Sequence, residues 1–163
     1  MIKRAYIDIE TTGLSRDYFD ITIIGIGFER AGRVVTVQLM GNNLSELKLM
    51  RALKGIDRIY TYNGSRFDLP FIKTRLSIDL KQTIEHRDLM YDCWKKNLKG
   101  GLKAVERRLG IKRKLADMNG YMAVKLWWRY YNDGDREALD KLLLYNKEDV
   151  VNLRRLRLNL GVS

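Results

Sequence analysis

A single cysteine, Cys93, excludes any internal disulfide. The fold therefore needs no oxidising compartment, and the cytoplasm is the expected location. A single proline, Pro70, argues against a proline-rich linker, and no internal repeat or low-complexity tract divides the 163 residues. One domain spanning 1–163 is expected, long enough to bury a real core. No apolar run approaches about 18 residues, which excludes a membrane-spanning helix. The opening MIKRAYIDIE reaches two acids within its ten residues and lacks the apolar centre of a signal peptide. Acids are also in deficit, 20 against 31 Lys and Arg, for a net charge of +11. Such an excess suits a polyanionic partner, usually nucleic acid. The competing reading is a heavily charged soluble surface. Lys95, Lys96, Lys99, Lys103, Arg107, Arg108, Lys112, Arg113 and Lys114 crowd one stretch, and Arg154, Arg155 and Arg157 form a second group.

The hydrophobic pattern alternates between two periods. Residues 4–9, 21–28 and 33–40 read as strands, the last two forming a hairpin across the turn-like Glu29–Gly32. Residues 44–54 carry Leu44, Leu47, Met50 and Leu53 at helical steps, and Gly55 is a natural stop. Residues 57–62 form a further strand, Pro70 marks a helix start after Asp68, and a short strand is expected near Thr83–Glu85. Helices are expected over 88–98, 102–109, 121–131 and 135–159. This order predicts an α/β domain with a mixed sheet flanked by helices and a long C-terminal helix.

Five residues within this pattern can carry chemistry. Asp8 and Glu10 lie two apart at the end of the first strand, so both carboxylates face one side while Ile7 and Ile9 face the core. Two adjacent carboxylates repel unless a cation lies between them, and a hard divalent ion with oxygen ligands is the usual answer. Solvated acids at a strand end are the plain alternative. Thr11, Thr12, Gly13 and Leu14 follow as a turn that brings backbone N–H groups beside them. Asp68 follows the 57–62 strand, where it can simply cap a helix. Asn63 and Phe67 beside it offer an amide and a ring to a nucleotide. Tyr145 and Asp149 stand at i and i+4 on the last helix, hence on one face. Taken singly, they can be a half-buried aromatic and a surface acid.

In chain order, IDIETTGL, YNGSRFD and YNKED resemble the three exonuclease motifs of the DEDD superfamily (DnaQ-like, ribonuclease-H-like). The tyrosine four residues before the last aspartate marks the DEDDy branch. The N-x3-FD spacing is similar to the proofreading domain of family B DNA polymerases. The 86–153 region, with HRDL and GLKAVERRLGI, is similar to free-standing predicted exonucleases related to that domain. The resemblance covers nearly the whole chain.

It implies a ribonuclease-H-like fold and a 3′→5′ exonuclease that uses two Mg²⁺ or Mn²⁺ ions. Its substrate would be the 3′ end of nucleic acid, expected to be single-stranded DNA. By motif position Asp8, Glu10, Asp68 and Asp149 would be metal-site carboxylates and Tyr145 would orient the attacking water. Leu14 and Phe67 would contact terminal bases, and Thr11 and Asn63 the terminal nucleotide. The chain departs from the polymerases in having room for little beyond the nuclease, which favours repair, processing or turnover over proofreading. The chemistry fits independently: two metals about 3.5–4 Å apart supply a nucleophile, charge relief and a stabilised leaving oxygen, and ask mainly for carboxylates. The sister DEDDh branch puts a histidine five residues before the last aspartate. Leu144 stands there, and the only histidine, His86, reads as structural, paired with Asp88. Two further DEDD-fold readings stay open, an exoribonuclease and an inactive nucleic-acid-binding module. So does a ribonuclease-H-type endonuclease or resolvase, which would leave internal fragments. Trp127, Trp128, Tyr130 and Tyr131 form an aromatic run that reads as core packing with one exposed edge. A subunit interface or a base-stacking platform is the alternative.

Overall fold

The computed structural model describes residues 2–163. Five strands form one sheet: β1 (Arg4–Thr11), β2 (Ile21–Arg30), β3 (Arg33–Met40), β4 (Arg58–Thr61) and β5 (Glu85–Asp88), in the order β3-β2-β1-β4-β5. β1, β2 and β3 pair antiparallel, while β1–β4 and β4–β5 pair parallel, so the sheet is mixed as expected. The β2–β3 hairpin turns through Ala31 and Gly32, both at positive φ, which matches the right-handed strand twist. β2 is buried along most of its length and is covered on both faces; the edge strand β3 alternates.

The helices are α1 (Glu46–Ala52), α2 (Asp68–Leu76), α3 (Leu89–Lys95), α4 (Leu102–Arg108), α5 (Gly120–Asp133) and α6 (Arg136–Leu160). Ser45 caps α1 by accepting from Lys48 N–H, Asn119 caps α5 and Asp135 caps α6. Two short 3₁₀ turns, Gly41–Asn43 and Leu80–Gln82, were not evident from periodicity, and β5 begins at Glu85 rather than Thr83. Neither 3₁₀ turn is long enough to carry a repeat.

Alternation along β1 divides the core between the two faces of the sheet. Ala5, Ile7 and Ile9 join β2, α1 and α2 on one side. Tyr6 joins Tyr60, Leu89, Val150 and Leu153 on the other, under α3 and α6. Asp8 and Glu10 share the parity of Tyr6, which turns them toward α6. α6 lies along β1, β2 and β3, and this single packing brings the two ends of the chain together. Among the described residues, no helix is long and apolar enough to cross a membrane.

Candidate active site

β1, the β4–α2 loop, the start of α4, the start of α5 and the middle of α6 enclose a cavity of about 770 Å³. All nine residues singled out from the motifs line it: Asp8, Glu10, Thr11, Leu14, Asn63, Phe67, Asp68, Tyr145 and Asp149. Asp8, Glu10 and Asp149 each offer one carboxylate oxygen, and these oxygens lie within 4.8 Å of one another. Asp68 stands outside that group of three. Its Oδ1 accepts the N–H of Ile9 at 3.1 Å. Asp68 is the first residue of α2, not its cap, and its carboxylate reaches across to β1.

Two layers of contacts hold the acids. Asn146, fully buried, donates to Asp8 Oδ2 at 3.0 Å and to the Asp8 carbonyl at 3.2 Å. Gln38 on β3 fixes that amide by donating to Asn146 Oδ1 at 2.9 Å. Gly25 on β2 leaves the space: a Cβ there would meet Asn146 Oδ1 at 2.2 Å. Asp149 is paired with Arg113, which also pairs with Glu106. The β4–α2 loop is held by Asp88, whose carboxylate accepts from Asn63 N–H at 2.8 Å and Ser65 N–H at 2.9 Å and also caps α3. His86 pairs with Thr61 at 2.8 Å rather than with Asp88. The Thr12 N–H, one of the turn amides beside the carboxylates, donates to the Asp20 carbonyl.

Sequence reasoning did not single out Asn146, Gln38 or Glu106, nor the roles of Asp88 and Lys103. Lys103 Nζ donates to the Tyr145 hydroxyl at 2.6 Å and lies 4.5 Å from its ring centroid. It was visible only as one of nine basic residues. Arg113, read with them as a surface cation, has a side chain 4% exposed and faces inward. Arg154 and Arg157 also turn inward, to Glu29. Arg107 and Arg108 remain exposed.

Burial raises Asp8 and Glu10 well above the usual carboxylate range, with the charge of Asp149 adding to it; Lys103 pulls the other way. Burial also lifts Asp68 to about 7, against the Ile9 N–H. The Tyr145 phenol is raised by burial and by Asp149, Glu10 and Asp8, so it stays protonated. Such a group of acids fits a divalent cation. The donors are hard oxygens, they converge, and the metal-free site is electrostatically uncomfortable. Asp8, Glu10 and Asp149 would hold it.

Two measurable consequences follow for stability. Carboxylates whose folded pKa lies above the unfolded value stabilise the fold below pH 4, and that stability is lost as pH rises toward about 7. The metal-free protein should therefore lose melting temperature between roughly pH 4 and 7. Mn²⁺ at a hundredfold excess over its Kd should add about 2.7 kcal/mol, roughly 5–10 °C for a chain of this size, at neutral pH. Asp8→Asn should shrink the gain. An unchanged melting temperature in millimolar Mn²⁺ would sink the metal site.

Known proteins share this fold. The chain is 31% identical to the uncharacterized protein YprB of Bacillus subtilis over 96% of its own length and 41% of that protein's. It thus spans about two fifths of that relative. It is 28% identical to the uncharacterized protein MJ0365 of Methanocaldococcus jannaschii, over 91% of this chain and 90% of that one. Its fold is similar to that of the family B DNA polymerase from Pyrobaculum calidifontis, with a TM-score of 0.71 at 16% identity, covering 99% of this chain and 25% of the polymerase. It is also similar to Brucella melitensis NrnC with bound Mg²⁺, with a TM-score of 0.66 at 18% identity, covering 99% and 73%. The five-stranded mixed sheet with its long C-terminal helix is a ribonuclease-H-like fold. With a match to the family model over residues 5–160, the chain belongs to the RNase_H superfamily.

Proposed function

We propose that the chain is a metal-dependent 3′→5′ exonuclease of the DEDDy type, releasing nucleoside monophosphates from the 3′ end of nucleic acid, with single-stranded DNA the expected substrate. One observation carries the reading. Asp8, Glu10 and Asp149 converge within 4.8 Å in a cavity that also holds Asp68 and Tyr145. Two bound divalent cations would supply Lewis-acid activation of the attacking water and charge relief at the phosphate.

The chain's own residues do the positioning. An ammonium can only donate, so the Tyr145 oxygen accepts from Lys103 and its own proton is left for an acceptor in the cavity. That makes Tyr145 an oriented O–H that can place a water and not a base that removes its proton. Lys103 adds a positive charge facing the acids, where phosphate charge would otherwise be repelled. Leu14, 86% exposed on the cavity lip, and Phe67 offer apolar surface to terminal bases. Thr11 and Asn63, also on the cavity wall, would contact the terminal nucleotide.

The test is digestion of 5′-labelled single- and double-stranded DNA and RNA with Mg²⁺, Mn²⁺ or EDTA. The expected result is stepwise shortening from the 3′ end, abolished by EDTA and by Asp8→Asn. Internal fragments would identify an endonuclease, and inertness on every substrate would identify a binding module. Faster shortening of RNA than of DNA would assign an exoribonuclease.

A further inference from the structure

The outer face of α5 leaves the cavity as a stripe of rings and cations. Gly120, Tyr121 and Val124 line the cavity itself. Tyr121, Lys125 and Trp128 follow at i, i+4 and i+7, which is one face of the helix. All three are exposed, Tyr121 by 69% and Trp128 by 42%. Lys125 Nζ sits 4.5 Å from the Tyr121 ring centroid, and Trp128 packs edge-on against the exposed Tyr131. The inner face is accounted for separately: Ala123 and Leu126 pack on Ala138, Leu142 and Tyr145 of α6. Core packing therefore explains the inner residues and leaves the outer three without a structural task. At 1.5 Å per residue, Trp128 lies roughly 10 Å along the helix from Tyr121.

We propose that this stripe is a track for single-stranded nucleic acid. The segment just upstream of the 3′ end in the cavity stacks its bases on Tyr121 and Trp128, while Lys125 meets a phosphate. The inference rests on the cavity taking a 3′ end, and it adds a second binding region and a strand preference. Three observations favour this occupant over a second copy of the chain. The stripe begins inside the cavity, so one strand can occupy both. Lys125 sits among the rings, where a cation helps a polyanion and hinders an apolar interface. The chain as a whole carries +11. Stacking requires bare base faces, which a duplex hides, and is tolerant of sequence because every base has one.

Binding can be measured apart from cleavage. Oligothymidylates and oligouridylates of about three and twelve nucleotides, 5′-labelled with fluorescein, are titrated in Ca²⁺ with wild type, Trp128→Ala, Trp128→Phe and Lys125→Ala. Trp128→Ala should weaken twelve-mer binding about tenfold, the scale of one lost base stack. It should leave three-mer binding unchanged, because Trp128 is not a cavity residue. Trp128→Phe should restore most of the loss, which a merely structural role would not predict in a length-dependent way. Lys125→Ala should flatten the salt dependence for the twelve-mer. Equal twelve-mer affinity in wild type and Trp128→Ala would overturn the track. So would a twelve-mer duplex that competes as well as the single strand, or a wild-type dimer that Trp128→Ala turns into a monomer. Wild type that digests 3′ ends while Trp128→Ala binds normally would leave the exonuclease reading standing alone. Wild type that binds twelve-mers through Trp128 but digests nothing would leave the track standing alone.

Discussion

Arg113→Met is expected to lower the melting temperature sharply at pH 7. The Arg113 side chain is 4% exposed, and its partners Glu106 and Asp149 are 1% and 8% exposed. Glu106 accepts Nη2 at 2.8 Å and also pairs through Nε, a bidentate arrangement. Taking two charges out of water is costly, and the pair as a whole can be worth little. Removing one partner is different. It leaves Glu106 and Asp149 buried without their shared cation, at a cost of roughly 3–5 kcal/mol. In a chain of this length that is a loss of roughly 6–20 °C.

The sign with pH follows. A buried carboxylate without a cation is penalised only in its charged form, so the deficit of Arg113→Met should be small near pH 4 and large at pH 7. Adding Glu106→Gln to Arg113→Met should recover part of the loss at pH 7, because only Asp149 is then left as a buried carboxylate without its cation. Thermal melts of the four combinations give the coupling directly. A shift under 2 °C at pH 7 would mean that water reaches Glu106 and that the buried triad is not what holds Asp149.

The same triad shows where the sequence was legible and where it was not. β1, β2, β3 and the four last helices were readable because their patterns are local: alternation in AYIDI, apolar residues at three- and four-residue steps in LLLYNKEDVVNL. The parity of Asp8 and Glu10 and the shared face of Tyr145 and Asp149 came from the same periods. Partners across the fold have no such signal. Arg113 lies in a stretch outside helix and strand between α4 and α5, so nothing periodic separates it from its neighbours Lys112 and Lys114, both of which are exposed. Its burial is set by α6 passing beside that stretch, at a separation of 36 residues from Asp149. Gln38 and Asn146 meet across 108 residues for the same reason. Asp68 was legible as important but not as placed: a cap and a strand-facing carboxylate look alike in DLP. Lys103 was hidden by abundance, one lysine among many cations.

Tyr145→Phe is expected to slow single-turnover hydrolysis by roughly 10²-fold, the scale on which misplacing an attacking atom by about 1 Å costs rate. The residue is 3% exposed and packs with Ile23, Leu126 and Leu142, so the ring must stay if the core is to stay. Phenylalanine keeps it. What is lost is one oxygen, and with it the bond from Lys103. Burial and three nearby acids hold the phenol protonated, so the hydroxyl cannot serve as a base at neutral pH and its contribution would be orientation. The rate loss should therefore be nearly constant from pH 6 to 9, whereas loss of a general base would change the slope of the profile. Lys103→Met should remove part of the same orientation, and the double variant should lose less than the two single losses multiplied. Substrate affinity and melting temperature should move little in Tyr145→Phe. Asp149→Ala should be slower still and should weaken Mn²⁺ binding, which Tyr145→Phe should not. Rapid-quench measurement at saturating Mn²⁺ separates these cases. Wild-type cleavage by Tyr145→Phe would make the tyrosine a packing residue and remove the DEDDy mechanism from this site, while leaving the three-carboxylate cluster to be explained by another route to the nucleophile.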